Sequence, residues 1–369
     1  MPIRMKLLLV NAFPDLVRSI AHRVDGLTIL ASPHRQSEHE GLPSSCRVIP
    51  FVQRAKVDPA AILTLRRIIR DVQPDIVHAF PPRSLAAAVL ATIALPRSPK
   101  LVSYRGIAHT PSWLAPSDLL TFLCPKVAIH CCESNACADH LVEAGVPQSK
   151  CETIYNCVRQ QPPLFSRQQL RERFNIPSTA FVVGTTATIR PVKGTDILLE
   201  AAARCVDLPD IYWLLIGPVH DARVEKLVRA PLYGGRLRMA GPLSNAGVLA
   251  NAFDLFVMPS RQEALCQALL EAMSQGACPV VSDAGGMKEL VRDGADGVVV
   301  PRENVQALAD AIRLLHADRD RVQRYASSAR QRVQEMCSPE VMADRVLRVY
   351  ARLMGPSKLT RAESRRHPV

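Results

Sequence analysis

Short apolar runs alternate with helical patterns along the chain, and this alternation constrains the fold more than any other feature. Lys6–Val10, Leu27–Ala31, Ile76–Ala79, Leu101–Tyr104 and Val127–Cys131 read as strands, with Pro59–Asp71 and Leu85–Ala94 as helices between them. Strands that are apolar throughout are buried on both faces, and strands alternating with helices make a parallel sheet covered on each side. The pattern breaks after Val158, where RQQPPLFSRQQLRERFNIPSTA carries three prolines and a polar cluster and suits a linker.

A second series follows. FVVGTTATI from Phe181, IYWLLIG ending at Gly217, LRMAG ending at Gly241, LFVMP ending at Pro259 and CPVVSD ending at Asp283 read as strands. Thr195 is placed to cap a helix over Asp196–Cys205. The stretch from Asn304 to about Leu353 reads as helical, with Leu308, Ile312 and Leu315 on one stripe. A chain of 369 residues exceeds one ordinary core. The expected fold is therefore α/β, with two Rossmann-like doubly wound domains over residues 1–160 and 177–345, a linker over 161–176 and a closing segment over 346–369. Two such domains leave a cleft, and ligands of open parallel sheets bind outside the carboxyl ends of strands. The loops after the strands should carry the chemistry.

The formal net charge of +12 favours an anionic partner, whether nucleic acid, an acidic membrane face or a phosphorylated substrate. Part of the excess lies in a tail holding Lys358, Arg361, Arg365 and Arg366, which reads first as a solvated segment. No apolar run reaches the roughly 18 residues of a membrane span. The apolar stretch Leu7–Val10 is too short for a signal peptide and reads as a buried strand. The eleven cysteines form no C-x-x-C pair, so they read as small core residues in a reducing cytoplasm rather than as metal ligands or a disulfide framework.

Two loops stand out. Glu263 and Glu271 lie eight positions apart in PSRQEALCQALLEAMSQGACPVVSDAGG, a spacing that is common and weak by itself. With Glu263 in the loop after the LFVMPS strand and a helix starting near Ala264–Cys266, Glu271 falls two turns inside that helix. The helix's first amides then suit a phosphate, Glu271 suits vicinal ribose hydroxyls, and Glu263 suits sugar hydroxyls. Gly285–Gly286, after the next strand, permits close backbone approach to a ligand. Arg190 and Lys193, in TIRPVKG, follow another strand and suit a diphosphate whose charge grows as a glycosidic bond breaks. An ordinary basic loop remains the plainer reading of that pair taken alone.

Together these segments resemble the retaining glycosyltransferases of family four, which have the GT-B fold. The E-x7-E spacing, TIRPVKGTDILLEA, CESNACADHLVEAGVPQSKCETIYNCV and the closing helices from ENVQALADAIRLL all fit that family's pattern. The resemblance is extensive in the second half and weaker in the first. It implies an acceptor domain first, a nucleotide-sugar donor domain second, and a final helix that crosses back to the first domain. Arg190 and Lys193 would hold the diphosphate, Glu271 the ribose and Glu263 the donor sugar. Gly241 would lie near the base, and Ala264, Leu265 and Cys266 would line the donor. His109, in LVSYRGIAHTPSW, would face the donor sugar, and a loop histidine without a role is an equal reading. Arg105 would serve the acceptor side. His78 reads as a packing residue at a strand end.

The family's catalysis implies no metal and no cofactor. Its usual partners imply a nucleotide sugar and a glycan or lipid-linked acceptor of lipopolysaccharide or surface-polysaccharide type, with no nucleic acid. The basic charge would favour the inner face of an anionic plasma membrane. The chain departs from the pattern at Ala264, where glycine is usual, at Cys266, where glycine or proline is usual, at Asn156–Cys157 in place of Asn-Gly, and at NAFPDLVR in place of an early Gly-Gly. Two rivals stay open: a nucleotide-sugar epimerase on a similar fold, and a non-catalytic basic protein binding polysaccharide or nucleic acid. No G-x-G-x-x-G follows the first strand, which argues against a dehydrogenase.

Overall fold

The computed structural model describes residues 3–160, 162 and 165–355; the basic tail from Lys358 lies outside them. The chain forms two compact units, one of Met1–Cys157 with Pro339–Val369 and the other of Val158–Ser338.

The first unit is built on seven strands: β1 (Ile3–Val10), β2 (Val24–Ala31), β3 (Cys46–Pro50), β4 (Ile76–Ala79), β5 (Lys100–Arg105), β6 (Val127–Cys132) and β7 (Cys151–Thr153). All pair in parallel, in the order β3-β2-β1-β4-β5-β6-β7. Leu7, Leu8, Leu9 and Val10 of β1 are all buried, as expected of a central strand covered on both faces. The helix Pro59–Val72 packs Ala61, Leu65 and Ile69 inward at a spacing of four, and Asp58 caps it by accepting from the Ala61 amide at 3.2 Å.

The second unit contains β8 (Phe181–Thr186), β9 (Ile211–Ile216), β10 (Leu237–Gly241), β11 (Leu255–Met258), β12 (Cys278–Ser282) and β13 (Val298–Val300), all parallel, in the order β10-β9-β8-β11-β12-β13. Leu308, Ile312 and Leu315 of the helix Val305–Ala317 reach its core. In each sheet the strand order reverses once, between β1 and β4 and between β8 and β11. Such reversals part the loops on either side and open a crevice at the carboxyl ends of the strands.

Three local readings need correction. The segment read as linker holds a helix, Arg167–Arg173, closed by a Ser166–Gln169 capping box. Its Arg171 bonds Asp254 at 2.8 Å and the carbonyls of Ser178 and Ala180, which ties the helix into the second unit. The helix after β8 starts at Thr195, with Gly194 rather than Thr195 as its cap. Gly194 is left-handed at φ 65° and its α-carbon lies against the Pro259 carbonyl, where no side chain fits. The last helix starts at Pro339, not near residue 346, because Ser338 is extended before the proline. This helix buries Met342, Val346, Leu347 and Tyr350 in the core of the first unit, where Tyr350 Oη meets His78 Nδ1 at 2.7 Å.

Candidate active site

Lys193 and Glu263 meet at the strand-order reversal of the second sheet. Lys193 ends the single 3-10 turn Pro191–Lys193 after β8, and Glu263 lies in the loop after β11. The Lys193 ammonium donates to Glu263 Oε1 at 2.5 Å, and the Ser260 hydroxyl donates to the same oxygen at 3.1 Å. Ser260 is itself held, through its carbonyl, by the Ser282 hydroxyl at 2.6 Å. The Glu263 side chain is 9% exposed and that of Lys193 20%, so water screens this pair only weakly. Arg190, three residues before Lys193, is exposed.

A single arginine locks the two loops together. The backbone amide of Arg261 donates to the Val192 carbonyl at 2.8 Å, and its guanidinium grips both carboxylate oxygens of Asp196 at 2.8 Å. A further nitrogen donates to Glu303 at 2.6 Å. A fork-to-fork pair of this kind fixes direction as well as distance. The strong bonds to two carboxylates push the arginine's pKa upward, so it stays charged. The Asp196 carboxyl is depressed on balance: burial opposes ionisation, and the bonds from Arg261 outweigh it.

A third loop closes beneath. Gly285, left-handed at φ 50°, lies against the Glu263 carbonyl, and the Gly286 amide donates to the Ala264 carbonyl at 3.2 Å. The following helix is Gln267–Ser274, so it starts later than the expected Ala264–Cys266 and places Glu271 just over one turn inside rather than two. The reason is Cys266, which takes the left-handed conformation at φ 81° as the helix cap. That backbone shape is ordinary for glycine and strained for a side chain, so the chain keeps the glycine turn without the glycine. Leu265 and Cys266 are buried and Ala264 is half-buried. Burial pushes the Cys266 thiol well up, which keeps it protonated and unreactive.

Glu271 is mostly buried, and that burial raises its carboxyl above the ordinary carboxylate range, although a bond from Gln267 works in the opposite direction. The Gly247 α-carbon packs directly on this carboxylate, so any side chain at 247 displaces it. Gly247 follows β10, whose last residue, Gly241, is left-handed at φ 66° and accepts from the Gly217 amide at 2.8 Å.

The residues singled out in the first unit are placed differently. The Arg105 guanidinium, expected on the acceptor side, is fully buried and stacks 4.4 Å over the Phe122 ring. It donates to the His109 carbonyl, while Nε and Nη1 have no hydrogen-bond partner among the described residues. In this position Arg105 holds the loop that carries His109. Burial lowers its pKa. His109 is exposed, and its imidazole is depressed, first by partial burial and then by the nearby Arg105 charge. His78 is buried and stacked on Phe80 at 4.2 Å, and burial drives its pKa down to about 3, so it is a neutral packing residue. At the ends of β5 and β6, Glu133 accepts from Tyr104 Oη and, at 3.0 Å, from Asn156 Nδ2, with Gly106 packed against it. None of the eleven cysteines is joined in a disulfide. Among the described residues no group of three or more His, Cys, Asp or Glu is placed to hold a metal ion.

Two family descriptions match, one after the other: Glycosyltransferase Family 4 over residues 15–161 and Glycosyl transferases group 1 over residues 166–332. The chain belongs to the family-4 glycosyltransferases. The lipopolysaccharide core biosynthesis glycosyltransferase LpsE of Rhizobium meliloti is 31% identical over 49% of this chain and 53% of its own length. The chain thus spans about half of that relative, whereas a GDP-mannose-dependent alpha-mannosyltransferase of Mycobacterium tuberculosis, 27% identical, aligns over 88% of this chain and 86% of its own. Among solved structures, Anabaena HepE in complex with UDP superposes with a TM-score of 0.78 at 20% identity, covering 94% of this chain and 99% of that one. The fold of the chain is accordingly GT-B, two parallel-sheet Rossmann-like units.

The second unit brings Lys193 and Glu263 into direct contact, with Arg190 in the same loop and Glu271 on the helix that follows Glu263. Ser260, Arg261, Asp196 and Gly247 are site residues that sequence reasoning missed. Their signals were faint: an aspartate two residues past the basic loop, an arginine inside the glutamate motif, and one glycine in an ordinary polar turn. Chemically, the cluster presents one exposed and one half-buried cation beside a carboxylate, which suits an anionic ligand that also carries hydroxyls.

Proposed function

We propose that this glycosyltransferase moves a sugar from a nucleoside-diphosphate sugar to a hydroxyl of a cell-surface glycan or lipid-linked acceptor of the lipopolysaccharide type, with retention of the anomeric configuration and without a metal ion. The carrying observation is the Lys193–Glu263 pair at the strand-order reversal, with Arg190 beside it. Arg190 and Lys193 bind the diphosphate and stabilise the charge that grows on it as the bond to the anomeric carbon breaks. Glu263 takes a hydroxyl of the donor sugar, and Glu271 takes the ribose hydroxyls. The turn at Gly241 borders the base. The acceptor oxygen attacks the anomeric carbon from the face the diphosphate leaves, and its proton passes to a diphosphate oxygen. Holding the partners together supplies much of the rate.

The relatives support this reading. LpsE is a lipopolysaccharide core biosynthesis enzyme, and the solved HepE complex contains UDP. We place the enzyme at the cytoplasmic face of an anionic membrane. Leu63, Arg67 and Arg70 are exposed on the helix Pro59–Val72, and the loop before it exposes Val52, Arg54 and Val57. Basic residues interleaved with apolar ones in this way suit acidic lipid headgroups. No helix among the described residues is long and apolar enough to cross a membrane.

A panel of nucleotide sugars, read by thermal stabilisation, tests the donor site. One donor is expected to stabilise the wild type, with the shift lost in Arg190→Ala and Glu271→Ala. Stabilisation by none, or equal shifts in both variants, overturns the assignment. Proton NMR of the product tests retention, and unchanged turnover in excess EDTA tests the absence of a metal.

A further inference from the structure

We propose that Glu263 also expels the nucleoside diphosphate product, by reclaiming Lys193. This inference rests on the donor-site reading above and deepens it. The Lys193 ammonium donates to Glu263 Oε1 at 2.5 Å. An incoming diphosphate therefore competes with an anion built into the site. The competitor cannot drift away, since its backbone is fixed on both sides. Arg261 ties the loop to Val192 and Asp196, and the Glu263 carbonyl lies against Gly285. Only the side chain can turn.

The two ligand states then differ in what Glu263 needs. While the donor sugar is attached, its hydroxyl can satisfy the carboxylate, and Lys193 is released to the diphosphate. After transfer that hydroxyl is gone. A carboxylate with a side chain only 9% exposed must find a donor nearby, because leaving it unpaired is costly. Ser260, at 3.1 Å, supplies one hydrogen bond but no charge, and Lys193 supplies both. As Lys193 is drawn back toward Glu263, the nucleoside diphosphate keeps Arg190 and must share its second cation with the carboxylate. Glu263 thus makes the spent nucleotide bind more weakly than the intact donor.

Isothermal titration of UDP, GDP, ADP and dTDP tests this with the wild type, Glu263→Gln, Lys193→Gln and the double variant. For whichever nucleotide binds the wild type best, Glu263→Gln should bind about tenfold tighter, because one charged competitor is removed. Lys193→Gln should bind more weakly, and in its background Glu263→Gln should have no effect, since the carboxylate acts through Lys193. Steady-state product inhibition should strengthen in step in Glu263→Gln. Ser260→Ala should act in the opposite direction, weakening nucleotide binding about threefold, because Glu263 then depends on Lys193 alone. That variant keeps the idea testable where Glu263→Gln does not fold. Equal or weaker nucleotide binding by Glu263→Gln, or equal or tighter binding by Ser260→Ala, overturns the product-release role alone. Failure of all four nucleotides to bind the wild type, or wild-type affinity in Lys193→Gln, overturns the donor-site reading and this inference with it.

Discussion

The two sheets reverse their strand order at the same topological place and fill it with opposite chemistry. Between β8 and β11 the loops bring a lysine onto a glutamate, with an arginine in the same loop and a second arginine gripping the aspartate behind. Between β1 and β4 the loops bring aromatic rings together. Phe13 packs edge-on against Phe80 at 5.3 Å and Tyr104 at 5.0 Å, while Asn11 donates to the Ser84 hydroxyl at 3.0 Å. Asn11 is left-handed at φ 54°, as Cys266 is in the second unit, so each site contains a tight turn made without glycine. Topology decides where a ligand can sit, and the side chains at the crevice decide what it is. A charged crevice suits a diphosphate. A ring-lined crevice with one buried carboxylate suits an uncharged, hydroxyl-rich molecule.

The contrast is most exposed to test at Lys193. Lys193→Ala should lower kcat/KM by about 100- to 1000-fold and abolish stabilisation by the nucleoside diphosphate, as expected for loss of a fixed charge opposite a developing one. A turnover change below about tenfold would mean that the charged crevice is not where the donor's charge lies.

Glu271 offers the next effect, with a defined sign. Its folded-state carboxyl is raised by burial, and the proposed acceptance from both ribose hydroxyls at once calls for the ionised form. Donor affinity should therefore be full above that raised value and fall as pH drops through it. Glu271→Gln should lower donor affinity about tenfold near neutral pH and flatten the pH profile. The same burial makes ionisation unfavourable to the empty fold, so Glu271→Gln should raise the ligand-free Tm at pH 7. Gly247→Ala should reproduce the affinity loss without flattening the profile, because it shifts the carboxylate and leaves it titratable. Donor KM against pH for the three proteins checks all of this.

A smaller effect is expected at Arg261. Arg261→Ala removes the side-chain ties between the Lys193 loop and the Glu263 loop and should raise donor KM about fivefold with a lesser change in kcat. Asp196→Asn should match it, and the double variant should be no worse than either single one, because both remove one pairing. Additive losses would separate the two residues. In the first unit, Tyr350→Phe removes the partner of His78 and should cost about 1–2 kcal/mol of unfolding stability. It should shift nucleotide affinity less than twofold. A larger shift would mean that the two crevices are not chemically separate.

Much of the second unit was legible from its residues. The basic loop and the glutamate loop each follow an apolar strand, and strand ends in parallel sheets are where such residues gather. The first unit was less legible because its site-end residues are ordinary core formers. Phe13, Phe80 and Tyr104 look like packing, and much of what they do is packing. Arg105 is buried over Phe122, and no local pattern announces a buried guanidinium. The short strands β3, β7 and β13 were missed because a few residues carry too little periodicity to stand out.

By itself the sequence determined the α/β class, the central strands, the two repeated series and the positions of Arg190, Lys193, Glu263 and Glu271. These follow from local apolar patterning and short-range spacing, which a linear chain displays directly. The tertiary structure alone decided that Lys193 pairs with Glu263, that Arg261 clamps Asp196 and that Gly247 packs on Glu271. Each of these joins residues far apart in the chain. Such a contact depends on which strands lie side by side and on which side chains are left without water, and neither is written in the order of the residues.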